Sequence, residues 1–399
     1  MDAIVIGAGV AGLAAARELQ LGGRDAIVLE ARDRIGGRVH TLRPRGWPVP
    51  VEAGAEFVHG RSKVLLPLAR EAREVRGGHY SGALERQDDL WASVMEKLET
   101  LPSARERTVA EALRSLRWRL RTTPDERRLA ADFLEGFNAA RLDRASVKAI
   151  AQQLRASAEI EGDRIARIPR GYDVVPHRLA RGLRIELRTR VRLVRWSRSG
   201  VQVVTDDRRW EGRRAIVTLP LGVLQAGAVR FEPRLPGWKS SAISALAMGP
   251  VVKVALLFDR PHWPADLAFL HAHGEAVPTF WRTLPSRAPA LVGWAASRNA
   301  EALRGKNAVD AALRSLSAVL KKRVQPIRAL AFDWQEDELS RGAYSWVPVR
   351  SMKAQRALAK RVGPLHFAGE ATDFAGACGT VHGAIATGIR AAREVAARR

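Results

Sequence analysis

The sequence predicts an α/β fold in which a parallel βαβ layer is built from discontinuous segments. A second, α+β body of mixed sheet and helices is set between those segments. Three observations predict this. The chain opens with a strand, Asp2–Ile6, a glycine turn, an apolar helix from Val10 to Leu21 and a second strand, Ala26–Glu30. That is a βαβ unit of about thirty residues. The far end, "LHFAGEATDFAGACGTVHGAIATGIRAAREVAARR", reads as strand, glycine-rich loop and a final helix starting around Thr380. Between them, Leu84 to about Glu161 is glycine-poor with apolar residues at helical spacing, and Val251 to about Trp346 is mixed.

Each element has a local reason. "TPDERRLAADFLEGF" begins a helix with Thr123 as N-cap, Pro124 at the first helical position and acids in the first turn. Short β-rich runs follow at Leu183–Leu187, Val191–Trp196, Val201–Thr205 and Ala215–Leu219. Val251 to Phe258 has the apolar, β-branched character of a strand covered on both faces, yet it contains Lys253. A lysine is almost never fully buried without a partner. An edge strand or a snorkelling ammonium would explain it, and so would a polar active site beside the strand. The strand alone leaves these open.

At 399 residues the chain is long enough for two domains, and 46% hydrophobic with 27% charged residues is a globular composition. No apolar run reaches the ~18 residues of a membrane span. The first residues lack the charged n-region and cleavage site of a signal peptide. One cysteine, Cys378, excludes an internal disulfide and a multi-cysteine metal site. The expectation is a cytoplasmic protein with no metal and no membrane. The net charge is +24, with 66 basic residues of which 56 are arginine. "RWRLRTTPDERR" and "RTRVRLVRWSR" could form a basic patch, but the first also carries acids and has the spacing of an exposed helix face. A dedicated nucleic-acid partner is therefore not expected.

The first chemical motif is Gly7-x-Gly9-x-x-Gly12, directly after a strand and opening a helix. Gly7 permits the tight turn, Gly9 lets backbone approach a pyrophosphate, and Gly12 allows close helix–strand packing. Glu30, ending the second strand, is placed to accept hydrogen bonds from ribose hydroxyls and to repel a 2′-phosphate. This context predicts a Rossmann-like dinucleotide site that disfavours NADP. Downstream, Gly36-Gly37-Arg38 can bring backbone and a guanidinium to an extended ligand, although an ordinary Gly-Gly turn has the same spacing.

The sequence resembles the flavin-dependent amine oxidases: monoamine oxidases, polyamine oxidases and lysine-specific histone demethylases. The matching pieces are "VIGAGVAGLAAARELQ", "VLEARDRIGGRVHT", "VEAGAEFVHG", "IPRGYDVV", "IVTLPLGVL", the Lys253 strand, "DELSRGAYSWVP" and the closing motif, in family order. The helical section from about Leu84 to Glu161 matches least. The resemblance implies an FAD-binding domain from residues 1–80, 165–240 and 350–399, and a substrate domain from 81–164 and 241–349. It implies that Gly7, Gly9, Gly12, Glu30, Gly36, Gly37 and Arg38 hold the adenosine and pyrophosphate, and that Ala53, Gly54, Ala55 and Glu56 pass close to the flavin ring. Val191 would reach the adenine. Gly369 and Glu370 of "AGEAT" would lie near the ribityl–phosphate portion, and Thr380 and Val381 would open a helix aimed at the flavin pyrimidine edge.

The resemblance further implies that Lys253 contacts flavin N5 through a water and that Tyr344 forms one wall of an aromatic cage around the amine. The opposite cage position is Thr380 here, which half opens the cage, and Trp346 is a candidate to compensate. His59 and Glu56 are candidates to line the substrate. Ala343 stands where monoamine oxidases carry their flavin-linked cysteine, so FAD is expected to be non-covalent. The implied activity is hydride transfer from the α-carbon of a primary or secondary amine to flavin N5. Imine hydrolysis and reoxidation by O2 to hydrogen peroxide would follow. An L-amino-acid oxidase or a desaturase of the same fold stays open, as does a flavin-binding protein with a nucleic-acid partner. Oligomeric state is not legible.

Overall fold

The computed structural model describes residues 1–101 and 103–397. Its organising layer is a five-stranded, all-parallel sheet in the order Ile185–Glu186, Ala26–Leu29, Ala3–Ile6, Arg214–Val217, Leu365–Phe367. Strands next to one another here are up to about two hundred residues apart in sequence, so the two ends of the chain share one sheet. The run read as Leu183–Leu187 pairs only through Ile185 and Glu186. Val191–Trp196 and Val201–Thr205 form an antiparallel pair in a separate four-stranded sheet.

The opening helix, Val10–Leu21, and the closing helix, Val381–Ala396, pack side by side in one core cluster. Their backbones meet at Gly388, where an added Cβ would lie 2.1 Å from the Ala11 carbonyl oxygen. Small residues at this contact let the two helices approach closely.

A second, seven-stranded sheet has the order Arg328–Asp333, Val251–Leu257, Ala290–Ala296, Thr279–Arg282, Leu267–His271, Gly78–Ser81, Glu85–Arg86. All its pairings are antiparallel except that of Leu267–His271 with Gly78–Ser81. Lys253 lies opposite Trp294 on one side and Phe332 on the other, so its strand is not an edge.

Beside this sheet stand the helices Asp88–Glu99, Val109–Arg114, Leu116–Arg119, Pro124–Asn138 and Val147–Ala158. Thr123 caps the longest of them. Its hydroxyl accepts from the Glu126 N–H at 3.2 Å, and the Glu126 carboxylate accepts from the Thr123 N–H at 2.8 Å. Among the described residues, no helix is long and apolar enough to cross a membrane.

Candidate active site

A cavity of about 950 Å³ runs from the glycine turn of the parallel sheet to the face of the helical layer. Its first end has the features of a nucleotide cradle. Gly7 has φ +105°, and an added Cβ there would meet the Thr218 hydroxyl at 2.8 Å. At Gly9 an added Cβ would meet nothing within 4 Å, because that position faces the cavity. Gly12 is not on the lining. A Cβ there would lie 1.9 Å from the Gly7 carbonyl oxygen, so its role is to let the helix close onto the turn. Gly9, the N-cap, has no side chain to satisfy the first N–H groups of the helix, which face the cavity.

Glu30 is buried, and its carboxylate accepts from the Ala8 N–H at 2.7 Å and the Arg32 N–H at 2.8 Å. Each oxygen retains a lone pair for a ligand hydroxyl. Gly36, Gly37, Arg38 and Val191 line the same end. Arg38 Nη1 donates to Glu370 Oε1 at 2.9 Å and to the Ala343 carbonyl at 2.6 Å. Glu370 Oε2 in turn accepts from the Ser345 N–H and hydroxyl and from the Gly379 N–H at 3.2, 2.6 and 3.1 Å. The "GGR" and "AGEAT" motifs are thus joined through a buried carboxylate. Gly369, Thr380 and Val381 also line the cavity, and Thr380 caps the closing helix by accepting from the Gly383 N–H at 3.0 Å.

In the middle, Ala53, Gly54, Ala55 and Glu56 cross the cavity wall. A Cβ on Gly54 would lie 1.8 Å from the Arg38 carbonyl oxygen, and the Ala53 carbonyl accepts from Trp334 Nε1 at 2.8 Å. This backbone is therefore held from both sides. Lys253 is reached here. It donates to the Gly54 carbonyl at 3.1 Å and pairs with Glu56 Oε2 at 2.5 Å, and Trp281 lies 5.6 Å from its ammonium. Tyr344 also lines the cavity, and its hydroxyl donates to the Phe137 carbonyl at 2.7 Å.

These observations decide the family. A family model described as flavin containing amine oxidoreductase matches residues 10–396. The chain belongs to the flavin-containing amine oxidoreductases. Polyamine oxidase 4 of Oryza sativa subsp. japonica is 31% identical over 435 residues, covering 98% of this chain and 88% of the relative. Polyamine oxidase 2 of Arabidopsis thaliana is 32% identical over 435 residues, covering 98% and 87%. In structure, a wild-type putrescine oxidase bound to putrescine superposes with a TM-score of 0.84 at 24% identity, covering 100% of this chain and 99% of the other. The cyclohexylamine oxidase of Brevibacterium oxydans IH-35A gives 0.83 at 23% identity, covering 99% and 98%. The fold is that of these oxidases. As a flavin-containing amine oxidoreductase the protein uses a flavin and acts on small amines.

The other end of the amine oxidoreductase cavity is aromatic. Seven rings facing it form a closed circuit of contacts. Phe57 meets His59 at 6.2 Å, His59 meets Phe137 at 5.6 Å, Phe137 meets Phe133 at 5.2 Å and Phe133 meets Trp91 at 5.3 Å. Trp91 then stacks on His79 at 4.1 Å, His79 on Phe269 at 5.0 Å, and Phe269 returns to Phe57 at 6.1 Å. Beyond this collar, His79 Nδ1 and His271 Nε2 are 3.0 Å apart, and His273 Nδ1 is 2.6 Å from Asp132.

Burial, with a smaller contribution from His382, pulls the His59 pKa down to about 4. Burial likewise takes His79 and His382 to about 4 and His271 to about 3. These imidazoles are neutral at pH 7. Glu52, next to the Lys253 cluster, is pushed up to about 6 by burial, against its hydrogen bonds from Thr41 and the Tyr172 N–H. Burial opposes charge on Glu56 too, but Lys253 and Arg167 more than offset it and its pKa is lowered.

One predicted residue is corrected. Trp346 does not line the cavity. The strand Tyr344–Trp346 runs past the cavity into the helical layer, and the Trp346 ring is buried there in a cluster with Val147 and Ile150. Sequence reasoning missed Arg167, Trp281 and most of the collar. Phe269, His271 and His273 alternate along one run, and that period of two was a usable signal for one shared face. Arg167 carried no signal, being one arginine among 56.

Proposed function

We propose that the protein is an oxidase that binds FAD non-covalently and oxidises a primary or secondary amine with an apolar body, with O2 as electron acceptor. The observation that carries this reading is convergence: Lys253 and Tyr344 enter, from two different sheets, the same cavity into which the nucleotide cradle opens. Bound FAD would take a hydride from the amine α-carbon at N5 and pass the electrons to O2, leaving an imine for water to hydrolyse and hydrogen peroxide.

The protein's part is binding and electrostatics. Glu30, the Gly7–Gly12 turn and Arg38 suit the adenosine diphosphate portion, and the N-terminus of the closing helix favours negative charge on a ring placed beside Thr380. Non-covalent attachment is supported by Ala343 and by Cys378. That thiol is buried, is pushed up by burial and hydrogen-bonds with Ser345 at 3.2 Å, so its reactive thiolate is suppressed.

The collar receives the amine's hydrocarbon or aryl body. Its neutral histidines leave a low-dielectric site that favours an unprotonated amine, the form from which hydride can depart. The cavity's arginines do not support an amino-acid substrate. Arg32, Arg38 and Arg190 face it, and each is already paired with an acid: Asp337, Glu370 and Glu338 respectively. None of them belongs to the aromatic collar, where an amino-acid carboxylate would need a guanidinium beside it.

Two measurements test the reading. Denaturing the purified yellow protein with acid should release all of its flavin as FAD, and a flavin that stays with the precipitate contradicts non-covalent binding. Oxygen uptake should be supported by arylalkylamines and alkylamines with equimolar peroxide. Uptake driven by α-amino acids and by no simple amine would overturn the assignment.

A further inference from the structure

Lys253 does not stand alone. Three charged side chains from three separate elements meet at the cavity wall: Lys253 from the second strand of the seven-stranded sheet, Glu56 from the loop before Val58–His59, and Arg167 from the end of strand Ile165–Arg167. Lys253 Nζ lies 2.5 Å from Glu56 Oε2, and Arg167 Nη2 lies 2.7 Å from Glu56 Oε1. The side chains are 2%, 3% and 10% exposed in the order Lys253, Glu56, Arg167. Arg167 is anchored by Nη1, which donates to the Leu284 carbonyl at 3.1 Å. The strand carrying it is hydrogen-bonded on both sides, to Val58–His59 and to Arg73–Glu74.

We propose that Arg167 is a positioning residue for Lys253, acting through Glu56. A buried acid–base pair on its own can collapse to two neutral groups, because a low dielectric penalises both charges. A second cation on the other oxygen removes that option. With one cation on each oxygen, the carboxylate stays ionised and cannot turn toward an incoming substrate ammonium. Lys253 is then held in place between Glu56 and the Gly54 carbonyl.

Two consequences follow for the reaction proposed above, on which this inference rests. With its nitrogen engaged by both Glu56 and the Gly54 carbonyl, Lys253 is not placed to swing toward the substrate nitrogen. The cluster also keeps a net charge of +1 under the wall formed by Ala53–Glu56, where it favours electron-rich states of a flavin lying there. Glu52, the other buried acid facing the cluster, is occupied by Thr41 and the Tyr172 N–H and does not compete for Lys253.

The test uses the holoenzyme and two readouts: the affinity for sulfite, an anion whose reversible addition bleaches oxidised flavin, and the rate of anaerobic reduction by a saturating amine. Arg167→Met takes the cluster to zero net charge. Sulfite affinity should fall about tenfold and reduction should slow by a similar factor, with KM little changed. Arg167→Lys should recover both to within about threefold. The double variant Glu56→Gln/Arg167→Met restores the net charge but leaves Lys253 unheld, so it should regain sulfite affinity without regaining the reduction rate.

Wild-type values of both readouts in Arg167→Met would overturn the proposal, as would an Arg167→Lys enzyme no better than Arg167→Met. If Arg167→Met does not fold, the contrast between Arg167→Lys and the double variant decides the matter. A wild-type protein that binds sulfite but is reduced by no amine would sink the amine assignment instead. The sulfite series would then judge the cluster by itself.

Discussion

At the scale of single residues, the site turns on which charges are paired. Lys253→Met leaves Glu56 with Arg167, so the acid keeps a cation and the variant is expected to fold and to retain FAD. Flavin reduction or reoxidation should slow about a hundredfold, the usual effect of removing one preorganised charge beside a reacting centre. Stopped-flow traces of both half-reactions check this, and wild-type rates in both would return Lys253 to the scaffold. Gly12 offers a steric counterpart. A methyl group there would lie 1.9 Å from a backbone oxygen, which cannot swing aside as a side chain can. Gly12→Ala should cost about 3 kcal/mol or more and abolish FAD retention, read by thermal melting and by the absorbance of the purified protein.

Legibility followed physics at this scale. Lys253 was visible because a charge inside an apolar run violates a burial rule. Arg167 broke no local rule and could be found only in three dimensions. Trp346 misled because a tryptophan beside Tyr344 fits a cage and a core equally well in sequence, and only the path of its strand into the helical layer separates the two.

At the scale of elements, the helix Pro124–Asn138 is the wall that shapes the substrate end. Its start was readable from Thr123, Pro124 and the following acids. Its end was not, because its last carbonyls are satisfied by distant side chains: Trp294 Nε1 donates to Gly136 at 3.1 Å and Tyr344 to Phe137 at 2.7 Å. Those bonds tie the helix to the seven-stranded sheet and to the strand Tyr344–Trp346, which pairs with Ala247–Gly249. Tyr344→Phe keeps the ring and loses one of them, so amine reduction should stay within about fivefold of wild type, equivalent to about 1 kcal/mol. Tyr344→Ala removes the ring as well and should lose more than about tenfold, chiefly in KM. Equal kinetics in the two variants would show that the ring is not part of the amine site. The collar was illegible for a related reason. Its seven rings come from six separate elements and loops, and only Phe133 and Phe137 share one of them.

At the scale of the whole molecule, the parallel layer is stitched from both ends of the chain. This was readable because glycine-rich turns and helix starts are local signals. The order of the seven-stranded sheet was not, since its strands Gly78–Ser81 and Thr279–Arg282 are only four residues long and are held by pairing rather than by propensity. The neutral histidines also make a global prediction. Folded values of about 4 for His59, His79 and His382 and about 3 for His271 lie below the ordinary 6.5. Between pH 6.5 and about 4 the unfolded chain therefore binds protons that the fold refuses. Stability present above pH 6.5 is lost progressively as the pH falls. The thermal midpoint should drop across that window, and His271→Asn should drop less steeply. A midpoint constant from about pH 7 to 5 would contradict the buried, neutral collar.

The central claim is that one cavity brings a flavin and a neutral amine together beside Lys253. Anaerobic mixing of the purified holoprotein with a panel of arylalkylamines, alkylamines, diamines and amino acids, followed by admission of air, tests it most directly. The oxidised-flavin absorbance should bleach with at least one apolar amine and return with oxygen. A protein that cannot be obtained or reconstituted with FAD, or whose flavin no amine reduces, would contradict it.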